Sequence, residues 1–239
     1  LTSILNLSSS WKIVLFGLAL LLLSYGLNTL GNFFLGVASG DVFRNTPIID
    51  WILRSNQERV YDQHFQFIQA QYDESEEPNA EEKEKIENER NQMAYRFAYQ
   101  YPVMKSELGL TTLGNVLINP SSYIFHQYGA SSELIWPIIQ DKLGENDKTA
   151  KLVQENWASL LFLSSLEILL LIVCFELVLA TGFAHVAFPW LKILVLLLGA
   201  VLCYYIALEK ARQWGSSLRR VFDLKINVAF SELGMKAVG

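Results

Sequence analysis

Residues Trp157–Ala180 read WASLLFLSSLEILLLIVCFELVLA, and residues Val186–Leu208 read VAFPWLKILVLLLGAVLCYYIAL. Among Asp, Glu, Lys and Arg, only Glu167 and Glu176 interrupt the first run and only Lys192 the second. About 20 apolar residues in a helix suffice to cross the hydrocarbon of a bilayer. Each run meets that length, so each is predicted to be a transmembrane helix. The short link Thr181–His185 makes the pair an antiparallel hairpin. Trp157 and Trp190 stand near the two starts, where amphipathic rings suit the membrane–water interface.

A third run lies upstream. Trp11–Val37 reads WKIVLFGLALLLLSYGLNTLGNFFLGV and carries no charge beyond Lys12. It is too long for a signal-peptide core and no A-x-A pattern follows it, so it reads as a retained span. Lys and Arg flank the runs on one side only. Arg44, Arg54 and Arg59 follow the first, Lys148 and Lys151 precede the second, and Lys210, Arg212, Arg219, Arg220 and Lys225 follow the third. The 181–185 turn has none. The positive-inside bias then places the amino terminus outside, and the insert and carboxyl end in the cytoplasm. The expected fold is all-α and integral to a membrane. It has about three spans (11–37, 157–180 and 186–208), a cytosolic helical insert at 44–155 and an amphipathic tail at 209–239.

Composition agrees through its distribution rather than its mean. The 239 residues are 51% apolar, close to the roughly 45–50% of a soluble domain, and mean hydropathy is +0.24. Residues 73–92 are almost wholly polar, and much of the net charge of −5 comes from Asp73–Glu89. No broad basic surface is visible, which argues against nucleic acid as a partner. Cys174 and Cys203 lie inside apolar runs and read as small hydrophobes. With no CxxC and no Cys/His cluster, neither a metal site nor a cofactor is expected.

Within the insert, Pro47 suits a helix start, and Trp51, Ile52, Val60, Phe67 and Ile68 follow it. DESEEPN interrupts, and AEEKEKIENERNQMAYRFAYQY resumes as a strong helix former that closes at Pro102. Residues 47–101 are therefore expected to form a helical hairpin with a polar tip. Residues 110–143 are apolar and aromatic, broken by Pro120, Gly129 and Pro137. Short amphipathic helices at the membrane surface would suit them.

Polar residues inside the spans are the candidate site. A carboxylate near the middle of a span costs roughly 2.5–3.5 kcal/mol on insertion scales, so Glu167 should face protein or water. Ser164 and Ser165 are close enough in sequence to help satisfy it. Ser24, Asn28 and Asn32 recur at i,i+4 and share one helix face. Asn28 and Glu167 fall at similar depths, so this stripe is expected to face Glu167. Two roles fit: interhelical hydrogen bonding, or the polar lining of an ion path. Glu176 and Lys192 match in depth across the hairpin turn and make a candidate structural ion pair. Glu167 and Glu176 are nine residues apart and point to opposite faces, which argues against a paired-carboxylate acid/base site.

Enzyme signatures such as HExxH, GxSxG and the P-loop are absent. Arg59-Val-Tyr-Asp-Gln-His64 has the Arg-x4-His spacing of HEPN-type ribonucleases, with Val60 where a polar residue usually follows the Arg. No catalytic residue is assigned on this basis, and the chain is not expected to be an enzyme.

Leu113-Gly114-Asn115-Val116-Leu117, Tyr128-Gly129 and Trp136-Pro137 together resemble a pattern of uncharacterised bacterial multi-pass membrane proteins. Val221-Phe222-Asp223-Leu224 resembles the Phe-Asp-Leu element that follows their last span. Thr112 departs from the pattern, where an Arg usually stands. The resemblance covers about the second half of the chain. It implies the span–insert–hairpin layout, a bacterial origin and hence the inner (plasma) membrane, but no activity. The leading expectation is an oligomeric pore, channel or membrane-disrupting effector controlled by the insert. The alternatives are a membrane anchor or assembly subunit that docks a cytosolic protein, and a membrane-tethered HEPN-like ribonuclease. Expected partners are the lipid bilayer and a second copy of the chain or a partner subunit.

Overall fold

Long uncharged runs can satisfy their backbone only within themselves, and the chain answers with helices. The structure is a computed structural model and describes residues 26, 30–69, 80–143, 147–184 and 189–234. All regular structure among these residues is helical. The helices are α1 (Leu30–Ser39), α2 (Pro47–Gln69), α3 (Ala80–Gln100), α4 (Thr112–Tyr128), α5 (Ser132–Lys142), α6 (Lys148–Ala184) and α7 (Trp190–Glu232).

Two of them, α6 and α7, are long and apolar enough to cross a membrane. Their most apolar 18-residue windows have a mean hydropathy of 2.4, yet only 22% and 28% of those windows is buried. A core helix of a soluble protein would be mostly covered. At 1.5 Å per residue α6 is about 55 Å long and α7 about 65 Å, against roughly 30 Å of hydrocarbon. Both therefore run well past the apolar stretches read from the sequence. Asp147 caps the polar start of α6, where its carboxylate accepts the Thr149 and Ala150 amides at 2.8 and 3.2 Å.

The pair is antiparallel. Leu170 approaches Gly199, Leu160 packs with Ala207 and Leu208, and Val153 packs with Leu218 and Phe222. A stripe of small residues on α7 (Ala200, Cys203, Ala207, Ala211 and Gly215) lets neighbouring helices come close. At its far end Pro120 of α4 sits against Gly215, where an added Cβ would lie 2.9 Å from the proline ring. Pro120 and Pro137 both lie inside helices, so the break in residues 110–143 falls at Gly129, whose φ of 66° caps α4.

The first run joins this bundle through its described part. Leu35 shares a core with Leu113, Val116, Leu160 and Ala211. Gly31 stands against Leu161 and Ser165. The α1 end is then tied to the α4 start: the Thr111 hydroxyl accepts the Gly114 amide (3.0 Å) and donates to the Ser39 carbonyl (2.9 Å).

The insert folds onto the extensions of α6 and α7. The apolar face of α4 is spent on this packing. Ile124, Ile135, Ile139, Val221, Phe222, Ile226 and Phe230 form the main core of this half. Tyr128, Trp136, Val221 and Phe222 of the quoted pattern meet within it, whereas Leu113 and Val116 pack in the bundle core with Leu35. Trp136 stacks on Phe222 at 6.2 Å, and Asp223 accepts the Tyr128 hydroxyl at 2.6 Å. The Asn115 side chain accepts from the Gly109 amide and donates to Gln57. Helices α2 and α3 pack against each other where Tyr61 and Phe65 meet Phe97 and Tyr101. The expected polar tip lies outside the described residues.

Before α4, Glu107 accepts from Ser122 and pairs with His126 at 2.9 Å. Burial pushes its carboxyl up, but these hydrogen bonds and the His126 charge outweigh it and hold the pKa below the ordinary glutamate value. Such a group stabilises the fold above its unfolded-state pKa, and that contribution is lost as pH falls through the lowered folded-state value. The melting temperature should therefore drop as pH falls below about 4.5. Glu107→Gln should flatten this loss. An acid slope equal to that of the parent would assign the sensitivity to other carboxylates.

Candidate functional site

Glu167 is 9% exposed, within the α1–α6–α7 bundle. Ser164 and Ser165 beside it are fully buried. Ser165 donates back to the Leu161 carbonyl at 2.7 Å, as serines in apolar helices do. Among the described residues, Glu167 Oε2 and Ser164 Oγ have no hydrogen-bond partner. A buried carboxylate oxygen without a partner is expensive, and such groups collect where a protein handles ions or protons.

The predicted companions are placed differently. Ser24 and Asn28 lie outside the described residues. Asn32 is exposed, and Gly31 instead occupies the face of α1 turned to α6. Glu176 and Lys192 are both exposed, and no ion pair joins them. Cys174 and Cys203 are free and buried. Arg59 donates to Asn56 at 3.0 Å while His64 meets the Tyr101 hydroxyl at 3.3 Å, so each has a partner of its own. Among the described residues no cluster of His, Cys, Asp or Glu could hold a metal ion.

A second polar centre lies where α3 and α4 pack on the extension of α7, around Arg219. Its guanidinium lies 4.5 Å from the Tyr123 ring centre and 5.1 Å from that of Tyr99, in cation–π contact with both. It donates to the Ala98 carbonyl at 3.0 Å and to the Asn119 side-chain oxygen. Asn119 in turn donates to the carbonyls of Ala98 and Tyr101. The carboxyl end of α3 is thus held to α4 and α7 by one amide and one guanidinium. Burial lowers the Arg219 pKa from the ordinary arginine value, against the opposing pull of Tyr99, Tyr123 and Asp223. An arginine stays charged even so. No carboxylate reaches ion-pair distance of Arg219 among the described residues, and its Nε has no partner. Asp223, one turn away, is engaged by the hydroxyls of Tyr123 (3.1 Å) and Tyr128 (2.6 Å).

This centre borders a cleft. One compartment, of ≈ 1020 Å³, lies between α3 and α7 beside His64, Arg96 and Arg212. There Arg212 is held by Gln100 (2.8 Å) and Glu209 (3.6 Å). A second, of ≈ 730 Å³, reaches the start of α6. The two share Tyr95, Tyr99, Gln213 and Ser216 along their common edge.

No protein-family model, curated protein or solved structure matches this chain. Function must therefore be argued from these two centres. The sequence pointed to the first through the cost of Glu167. It missed the second, whose parts are scattered from Tyr95 to Asp223. The usable signal was Arg219 one turn before the Asp223 of the quoted Phe-Asp-Leu element.

Proposed function

We propose that the chain is a multi-pass membrane protein that handles ions or protons through its span bundle, under control of its aqueous helical half. In this reading the first run, α6 and α7 cross the bilayer, the amino terminus is outside, and the insert and the end of α7 are cytoplasmic. What carries the proposal is the buried carboxylate of Glu167 with an oxygen that no described residue satisfies. Its membrane setting is supported by the outward faces of α6 and α7, where Leu171, Ile172, Phe175, Leu194, Leu198 and Leu202 are exposed. Glu167 is covered within one protomer, so its path would run between spans of that protomer. A second copy would be needed to complete the walls of such a path rather than to shield the carboxylate.

The test is ion and proton flux into liposomes that contain the purified chain. Flux is expected from the parent protein, changed several-fold by Glu167→Gln and unchanged by Glu176→Gln. A parent protein that conducts nothing would sink the proposal.

The anchor reading has its own support. Among the described residues, the outward faces of α6 and α7 carry no polar stripe beyond isolated residues such as Glu176 and Lys192, and the insert would stand in water. Under that reading a soluble protein co-purifies through the α2–α3 hairpin, and Glu167→Gln leaves the association unchanged.

A further inference from the structure

The ≈ 730 Å³ compartment of the cleft gathers Lys148 from the start of α6 and Arg219 and Arg220 from α7. Among the described residues Asp223 is the one carboxylate on its wall, and it is bound by two tyrosine hydroxyls. None of the three cations has an ion-pair partner among the described residues. In a chain of net charge −5 this is a local excess of positive charge, built on one partly buried guanidinium and two exposed cations. The exposed Tyr95 offers an aromatic edge. We propose that this compartment binds the phosphate group of a small molecule of about nucleotide size.

The chemistry argues for phosphate. Guanidinium groups recognise phosphate oxygens in a bidentate, charge-assisted way, and an ammonium adds a point charge. The volume argues for more than the bare anion, since pockets for small organic ligands run from about 300 to 1,000 Å³. Position argues for a soluble ligand. Arg219 lies eleven residues beyond Leu208, about 16 Å along the α7 axis, and Lys148 lies nine residues before Trp157, about 13 Å along α6. The headgroup layer adds only about 5–8 Å on each side of the hydrocarbon. The phosphate of an ordinary phospholipid therefore stops short of the site. This distance argument rests on the membrane placement proposed above, whereas the presence of the anion site does not.

The experiment is a thermal-shift titration of the full chain in detergent with inorganic pyrophosphate and with ATP. A parallel arm measures binding to vesicles of phosphatidylcholine with and without phosphatidylinositol 4,5-bisphosphate. Saturable stabilisation is expected from the soluble probes. It should weaken by about ten-fold or more in a Lys148→Glu/Arg220→Glu double variant, because two charges on the ligand's path are reversed. Both positions are exposed, so the unliganded melting temperature of the variant should match the parent. Binding that needs the phosphoinositide vesicles and is lost in the double variant would keep the anion site but assign its ligand to the membrane. Absence of a saturable response to every probe at millimolar concentration, or an equal response in the variant, overturns the proposal. Flux measurements on Glu167→Gln are independent of either result.

Discussion

Gly114→Ala is expected to cost about 3 kcal/mol or more, because the added methyl has no route to relax. A Cβ at Gly114 would lie far inside contact distance of the Ser39 carbonyl oxygen, which is backbone and already accepts the Thr111 hydroxyl. Ser39 in turn is followed by Gly40, whose φ of +85° and closeness to Leu110 leave that side rigid. Either α1 moves away from α4 or the first turn of α4 opens. Chemical denaturation of the detergent-solubilised chain would measure the loss. Gly129→Ala is the contrast: its φ of +66° carries strain, but open space surrounds it. A loss there of about 1 kcal/mol is expected from the left-handed backbone alone. Equal losses at the two glycines would mean that the α1–α4 contact is looser than the structure has it.

Asn119→Ala should be comparably severe. The amide is 2% exposed and donates to the carbonyls of Ala98 and Tyr101 while accepting from Arg219. Truncation leaves the Tyr101 carbonyl short of a donor and the Arg219 charge short of an acceptor. Each buried polar group left without its partner costs about 1–3 kcal/mol, and more when charged, so a loss of about 3 kcal/mol is expected. Asn119→Asp separates the two halves of the role. It restores an acceptor for Arg219 but cannot donate to either carbonyl. Denaturation should rank the parent above the aspartate and the aspartate above the alanine. If the aspartate variant matches the parent, the two carbonyl hydrogen bonds contribute little.

The sequence made the long helices legible because a run with almost no charge has few ways to exist in water. It did not set their ends, since Asp147 and the polar turns of α6 follow capping chemistry rather than hydropathy. Glu167 was legible as a buried group from its cost alone. Its neighbours were not. Depth counting matched Asn28 to Glu167 and so turned the whole Ser24/Asn28/Asn32 stripe toward α6, but depth says nothing about rotation around the helix axis. One residue is about 100° of rotation, and the structure turns Gly31 inward and Asn32 outward. The Glu176–Lys192 pairing failed for the same reason: matched depth does not bring two side chains onto facing surfaces. The Arg219 centre depends on three helices meeting, and no local pattern along the chain encodes that. The pattern residues Asn115, Tyr128, Trp136 and Asp223 became intelligible only once they were seen to touch Gln57, Asp223, Phe222 and Tyr128.

The unbroken course of α7 has a mechanical side. Gly215 and Pro120 bear directly on each other where α4 crosses it, and a bare backbone under a proline ring makes a fulcrum more than a weld. From that point to Trp190 the helix is an arm of about 37 Å, so a tilt of about 10° at the fulcrum would sweep its far end through about 6 Å. Force applied at the carboxyl end, where Lys142 holds Glu232 at 2.6 Å, would then be felt at the opposite end of the arm without a joint between.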